Sequence, residues 1–440
     1  AATLWRRDEP PILPSCVGLQ WVSATTGYFY DLVSGEYPGL LVTGHLEKAV
    51  LLSLIGFVFL VAGVRAGCHL LPRRLAEAQH RLRSSTPQYD VRRLFWLVIG
   101  LYAINWVVGI QPMEIQFNAA QIIYRLLEFR GVFLFVLYLA IVQQQKGYKY
   151  GAVALLWVLI PSFSSVMSAA IGVFIPPLIA VLSEWRPWSK RARDRRRTTR
   201  MLWLAGGLAT ALVVMGLVWQ GAVKHTWRSA VLSGAVVGSP IEKAGVFAST
   251  VQESTSDLDW GDAWDSLAAR LSSGLGYFSH VLERVPEIIP FENGRLVRRA
   301  LEHIFMPRLL FPDKPNLGAD SWLVLQYAGL PAAGEEQATS VGLGYMAEFY
   351  IDYGVPGMFL PIFLYGLVVG LIYASLLLFS PSHNFFCGAV TVMLLQHFVS
   401  YEGEIAKLLG GLVQSFIIFS ILLFVVGRWF HRKLVAGDQL

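Results

Sequence analysis

Apolar residues along this chain fall into long runs separated by short polar or basic stretches, the pattern of helices that cross a bilayer rather than of one-faced helices on a soluble core. A span needs about 20 apolar residues. Runs of that order predict about nine transmembrane helices, near 47–65, 94–111, 124–142, 150–163, 166–183, 201–221, 357–379, 384–400 and 408–428. The fourth and fifth are the weakest, because PSFSSVMSAAIGVFIPP is interrupted by Pro161, Pro176 and Pro177, as re-entrant or broken helices are.

The basic residues orient these spans. Clusters from Arg73 to Arg93, at Lys146 and Lys149, from Arg186 to Arg200 and from Arg428 to Lys433 all fall on one side if nine helices alternate, and that side is expected to be cytoplasmic. The chain then divides into a periplasmic N-terminal segment 1–46, six spans within 47–221, a periplasmic cap over 222–356 ending in a broken helix, and three spans with a cytoplasmic C-terminus over 357–440. The cap is rich in Trp, Pro and Gly without low complexity, which favours a folded unit over a linker. Within it, STSDLDWGDAWDSLAARLSSGL places Trp260, Trp264, Leu267, Leu271 and Leu275 at helical spacing, predicting an amphipathic helix at the membrane surface.

Composition agrees with a bilayer. Of 440 residues 55% are hydrophobic and 15% charged, far below the roughly 25% charged of soluble domains. The formal charge of +6 sits in runs beside apolar segments, so it reads as a topology signal and not as a nucleic-acid surface. Cys16, Cys68 and Cys387 match no C-x-x-C pattern, so neither disulfides nor zinc are expected. The opening AATLWRRDEPP has no hydrophobic signal core and leaves room for spans upstream.

Three constellations carry chemistry. On the expected outer face lies a basic series that includes Lys224, His225, Arg228, Arg270, His280, Arg284, Arg308 and Lys314; guanidinium forks bind phosphate oxygens, while single interfacial cations often only snorkel. Arg308 and Lys314 stand out because MPRLLFPDKP holds them on proline-restricted backbone. In the third span, Asn118, Gln121, Arg125 and Glu128 follow steps of 3, 4 and 3 and make one face polar, either lining a chamber or pairing with each other. After the proline loop, Tyr345, Glu348 and Asp352 share a face of a half-helix that GVPG breaks at 354–357. A carboxylate there suits a general base, or an ion pair that holds the loop. Asp257 and Asp259 spell D-x-D at a helix start, where capping is expected ahead of metal binding. His397, Glu402, Glu404 and Lys407 read as a solvated turn between the last two spans.

The order of Arg270 in AARLS, Pro286 and Pro290 leading to FENG, PRLLFPDKP, and GYMAEFYIDYGVPG ahead of a span resembles bacterial oligosaccharide repeat unit polymerases of the Wzy type, which make O-antigen and exopolysaccharide. The similarity runs over about 225–375 by motif and elsewhere by span pattern. It implies a GT-C-like, all-α polytopic protein of the bacterial inner membrane: a metal-independent glycosyltransferase without cofactors. Such an enzyme moves a growing glycan from undecaprenyl pyrophosphate to the next lipid-linked repeat unit on the periplasmic side, with membrane lipids and a chain-length regulator protein as partners. Mapped onto this chain, the family's outer-face arginines fall on Arg270 and Arg308, with Arg228 a further candidate; Lys314 beside Arg308 on the proline loop, and Arg125, would complete the pyrophosphate-binding set, Arg308 would also take part in catalysis, and Glu348, or after it His280, would serve as base. FSSVMSAAIG lacks the arginine that many relatives carry in a middle span. Competing readings are an O-antigen ligase-like transferase, a transporter of anionic lipid-linked sugars, and a non-catalytic membrane subunit.

Overall fold

The computed structural model describes residues 4–5, 9–35, 45–70, 88–107, 120–162, 171–184, 192–234, 236, 240–256, 258–306, 311, 321–331 and 341–435. Among them every regular element is helical. In chain order these are α1 (Ile12–Ser34), α2 (Leu46–His69), α3 (Val91–Val107), α4 (Ala120–Glu128), α5 (Arg130–Gln144), α6 (Tyr148–Ser162), α7 (Ile175–Ser183) and α8 (Ala192–Val218). There follow α9 (Lys224–Leu232), α10 (Pro240–Thr255), α11 (Trp260–Arg284), α12 (Arg295–Phe305), α13 (Tyr345–Gly357), α14 (Phe359–Phe379), α15 (His383–His397), α16 (Ile405–Leu422) and α17 (Arg428–Leu434). Among the described residues five stretches are long and apolar enough to cross a membrane: Leu46–His69, Ile122–Gln144, Thr198–Val231, Phe359–Phe379 and Ile405–Leu434. Shorter apolar helices lie at Tyr148–Leu159 and Gly172–Ser183. The chain is therefore an all-helical membrane protein.

The tightest helix pair is built from glycines four apart. In lipid no hydrophobic effect drives helices together, so close backbone approach through small residues takes its place. A Cβ at Gly63 or Gly67 would lie 2.1 Å from the Phe363 carbonyl oxygen or 2.2 Å from that of Leu367, and one at Gly366 or Gly370 would lie 2.3 or 2.2 Å from the oxygens of Leu60 and Val64. Thus α2 and α14 run backbone to backbone. Beside them α5 is buried continuously from Val132 to Val142, the mark of a helix with neighbours on every side, and packs on α15, α7 and α3.

Residues 12–34, which the sequence pattern keeps outside the spans, form a helix that lies along α11, α2 and α15. Cys16 Sγ approaches the Leu394 carbonyl (3.7 Å), and ahead of the helix Glu9 accepts the Tyr373 hydroxyl (2.7 Å) in the bundle interior. Its mixed polarity hid it among polar segments.

One end of the bundle gathers basic flanks. Tyr89 Oη meets Ser382 Oγ (2.6 Å) and His431 Nδ1 (2.7 Å), Arg93 Nη1 donates to the Lys433 carbonyl (3.0 Å), and Gln144 donates to the Tyr89 carbonyl (2.6 Å). Three of the four basic clusters thus meet through their flanks. At the other end α8 continues through a π-helical turn, Trp219–Val223, into α9. There Gly221 lets the chain touch α11, since a Cβ would lie 2.5 Å from that of Ala263.

Candidate functional site

Helix α11 forms as its sequence predicts. Asp259 takes the N–H groups of Gly261 (2.6 Å) and Asp262 (3.3 Å), the capping role expected for D-x-D. Along the helix, Arg270, Ser273, Tyr277, His280 and Arg284 recur at steps of 3 and 4, so one face carries a polar stripe. Arg270 Nη1 donates to both oxygens of Glu402 (2.8 and 2.6 Å), and Ser273 Oγ donates to Glu402 Oε1 (2.5 Å). The charge of Glu402 raises the Arg270 guanidinium above its ordinary pKa. Burial, with the same carboxylate nearby, raises the Tyr277 phenol.

Helix α9 brings two more cations. Lys224 and Arg228 sit one turn apart, and Lys224 lies within electrostatic reach of Arg228, Arg270 and Glu402. Lys224 Nζ donates to Gln220 Oε1 (2.9 Å), while the Nε of Arg228 is buried without a hydrogen bond among the described residues. Lys224 thus stands near two further cations and the Glu402 carboxylate, a local excess of positive charge that favours an anion. His280 lies further along the stripe, largely buried, with Nδ1 3.9 Å from Glu283.

The two carboxylates of α13 do share a buried face, and GVPG does break the helix, with Gly354 and Val355 non-helical. Each carboxylate accepts backbone N–H groups at the start of another helix. Asp352, 1% exposed, takes Leu296 (3.0 Å) and Val297 (2.8 Å) of α12; Glu348, 2% exposed, takes Ile405 (3.1 Å) of α16. Burial raises the Asp352 carboxyl, and those two N–H groups pull it back. Glu348 is thereby engaged at a helix start; the structure adds that contact to its expected part as a base.

The turn between α15 and α16, read from composition as solvated, is instead the most held segment of this region. The Phe398 carbonyl accepts from Gln20 (2.5 Å), whose own carbonyl accepts from Tyr345 (2.7 Å). Ser53 gives its proton to the Ala49 carbonyl (2.7 Å), so the Tyr401 hydroxyl donates to Ser53 Oγ (2.7 Å). Gly344, at φ +92°, leaves room for the Tyr401 carbonyl 2.7 Å from where its Cβ would lie. Sequence reasoning passed over Glu402 because nothing near it in the chain signals these partners.

A second polar cluster lies deeper. Arg125 pairs with Glu128 as expected, and α15 and α16 add His397 and Ser415. His397 Nε2 is 2.9 Å from Ser415 Oγ, 3.2 Å from Arg125 Nη1 and 3.6 Å from Glu128 Oε2. Arg125 thus pairs with Glu128 and His397, whereas Arg270 pairs with Glu402. Arg308 and Lys314 lie outside the described residues, as do Asn118 and the side chain of Gln121. Among the described residues no group of three or more His, Cys, Asp or Glu side chains is placed to hold a metal.

No curated protein and no solved structure matches the chain. Residues 207–427 match the model of a family described as a domain of unknown function, DUF8712. The match takes in α9, the polar stripe of α11, both capping carboxylates and the α15–α16 turn. Covering half of the chain, it makes this protein a member of the DUF8712 family.

Proposed function

We propose that this protein is a membrane glycosyltransferase that polymerises lipid-linked oligosaccharide repeat units, with nine spans in the bacterial inner membrane and its cap on the periplasmic side. The observation that carries the reading is Arg270 bound to Glu402, with Lys224 in electrostatic reach of both and of Arg228, at one end of an all-helical membrane bundle. Cations fixed before the reaction stabilise charge developing on a leaving group, here the pyrophosphate of an undecaprenyl carrier. Arg308 and Lys314 are assigned to the same anion. His280, on the same face of α11 as Arg270, is proposed to take the proton of the acceptor hydroxyl as that oxygen attacks the donor's anomeric carbon and the carbon–oxygen bond to pyrophosphate breaks. Glu348 shares that proposal as the alternative base. A chain-length regulator is the expected protein partner.

The test is direct. Reconstituted protein given lipid-linked repeat units should yield a ladder of longer chains without nucleotide or added metal, and Arg270→Ala should lower its rate at least about 100-fold, as loss of one preorganised donor does. A single transfer to a different acceptor would replace this reading with a ligase. Passage of intact substrate across vesicles with no new glycosidic bond would replace it with a transporter, which the Arg125, Glu128, His397 and Ser415 cluster inside the bundle would suit.

A further inference from the structure

Two arginines of the cap use their forks differently. Arg295 gives Nε and Nη2 to the two oxygens of Glu292 (2.6 and 2.7 Å), and Nη2 also reaches Tyr327 Oη (2.8 Å). The side edge of that guanidinium, where two N–H groups point the same way, is therefore filled. Arg270 spends Nη1 alone, on both oxygens of Glu402 and on Ser273 Oγ (3.1 Å). Its Nε and Nη2 donate to none of the described residues, and its side chain is 49% exposed. That edge is the one that matches two oxygens of a phosphate.

Glu402, in contrast, is fixed. Its Oε1 also takes the Ser273 hydroxyl (2.5 Å) and the Gly274 N–H (3.3 Å), and only a glycine at 274 admits it, since a Cβ there would lie 2.6 Å from Glu402 Cγ. The turn that carries it is pinned by Gln20 and Ser53. We propose that Glu402 is a positioning residue: it grips Arg270 by one nitrogen and turns the free side edge of the guanidinium toward a pyrophosphate-type anion, beside Lys224 and Arg228. This rests on the reading of the site as an anion site. A carboxylate could instead act as a resident anion that competes with the ligand, and the two roles differ in sign.

The experiment is titration of inorganic pyrophosphate into the full chain in nanodiscs, with melting temperature as a check on folding. Wild type should bind, and Arg270→Ala should weaken binding about tenfold or more, the worth of a charge-assisted pair. Glu402→Ala should weaken it as well, about three- to tenfold, although the site has gained net positive charge. Glu402→Gln keeps an acceptor for Nη1 and should restore binding to within about twofold of wild type. If both Glu402 variants bind more tightly, or Glu402→Ala binds as wild type does, positioning is overturned while the anion site stands. If wild type does not bind, or Arg270→Ala changes nothing, the anion site itself falls and this inference with it. Should Glu402→Ala fail to fold, Arg270→Lys decides: a lone ammonium has no second edge, so positioning requires a loss close to that of Arg270→Ala, and wild-type affinity overturns it.

Discussion

Asp352 carries two backbone N–H groups that the start of α12 would otherwise leave bare, so its removal has a measurable cost. Asp352→Ala is expected to destabilise the protein by about 1–2 kcal/mol in a thermal melt, with Asp352→Asn losing less because an amide oxygen still accepts. Glu292 offers a test of sign. The Arg295 fork, together with the Tyr327 hydroxyl, holds its carboxyl below the usual value of 4.5. A group lowered in the folded state adds stability that is present above 4.5 and is lost as pH falls through the folded value. Glu292→Gln should therefore flatten the acid limb of a stability–pH curve and leave its neutral part sloping as in wild type. At this scale the sequence was legible where spacing decides. Helical period alone puts Glu348 and Asp352 on one face, and D-x-D alone suggests a cap at Asp259. What those carboxylates touch was not legible, since Leu296 and Ile405 lie 56 and 57 residues from them.

Between elements, the glycine contacts of α2 and α14 set the largest penalty. Gly63→Val or Gly366→Val would drive a side chain into a carbonyl of the facing helix, and should cost about 3 kcal/mol or more, or abolish the folded fraction seen by size-exclusion chromatography. Gly100→Ala is the control. Among the described residues no atom beyond the helix's own neighbouring backbone lies within 4 Å of a Cβ there, and alanine favours a helix by up to about 1 kcal/mol, so it should be neutral or slightly stabilising. The long apolar helices could be read from the chain because hydropathy over a span is a local property. Helix α1 could not, because the polar Gln20 in its middle is satisfied by distant partners, Phe398 and Tyr345. The turn that bears Glu402 fails to reveal itself for the same reason: polar composition describes its residues, while its burial is decided by α1, α2, α11 and α13.

For the whole molecule, the two ends of the bundle differ in kind. One joins basic flanks through Tyr89, Ser382 and His431, and the other holds the stripe of α11 and the α15–α16 turn. That turn lies within the 207–427 region shared with the family, yet Gln20 and Ser53, which pin it, belong to the half that the family model does not reach. The shared region is therefore not an independent module. Produced alone, it would carry Arg270 and Glu402 on a loosened turn, whereas two fragments divided between α2 and α3 retain every hold named here and should reassemble when made together. Any exchange of the N-terminal half between related chains must bring a matching Gln and Ser with it.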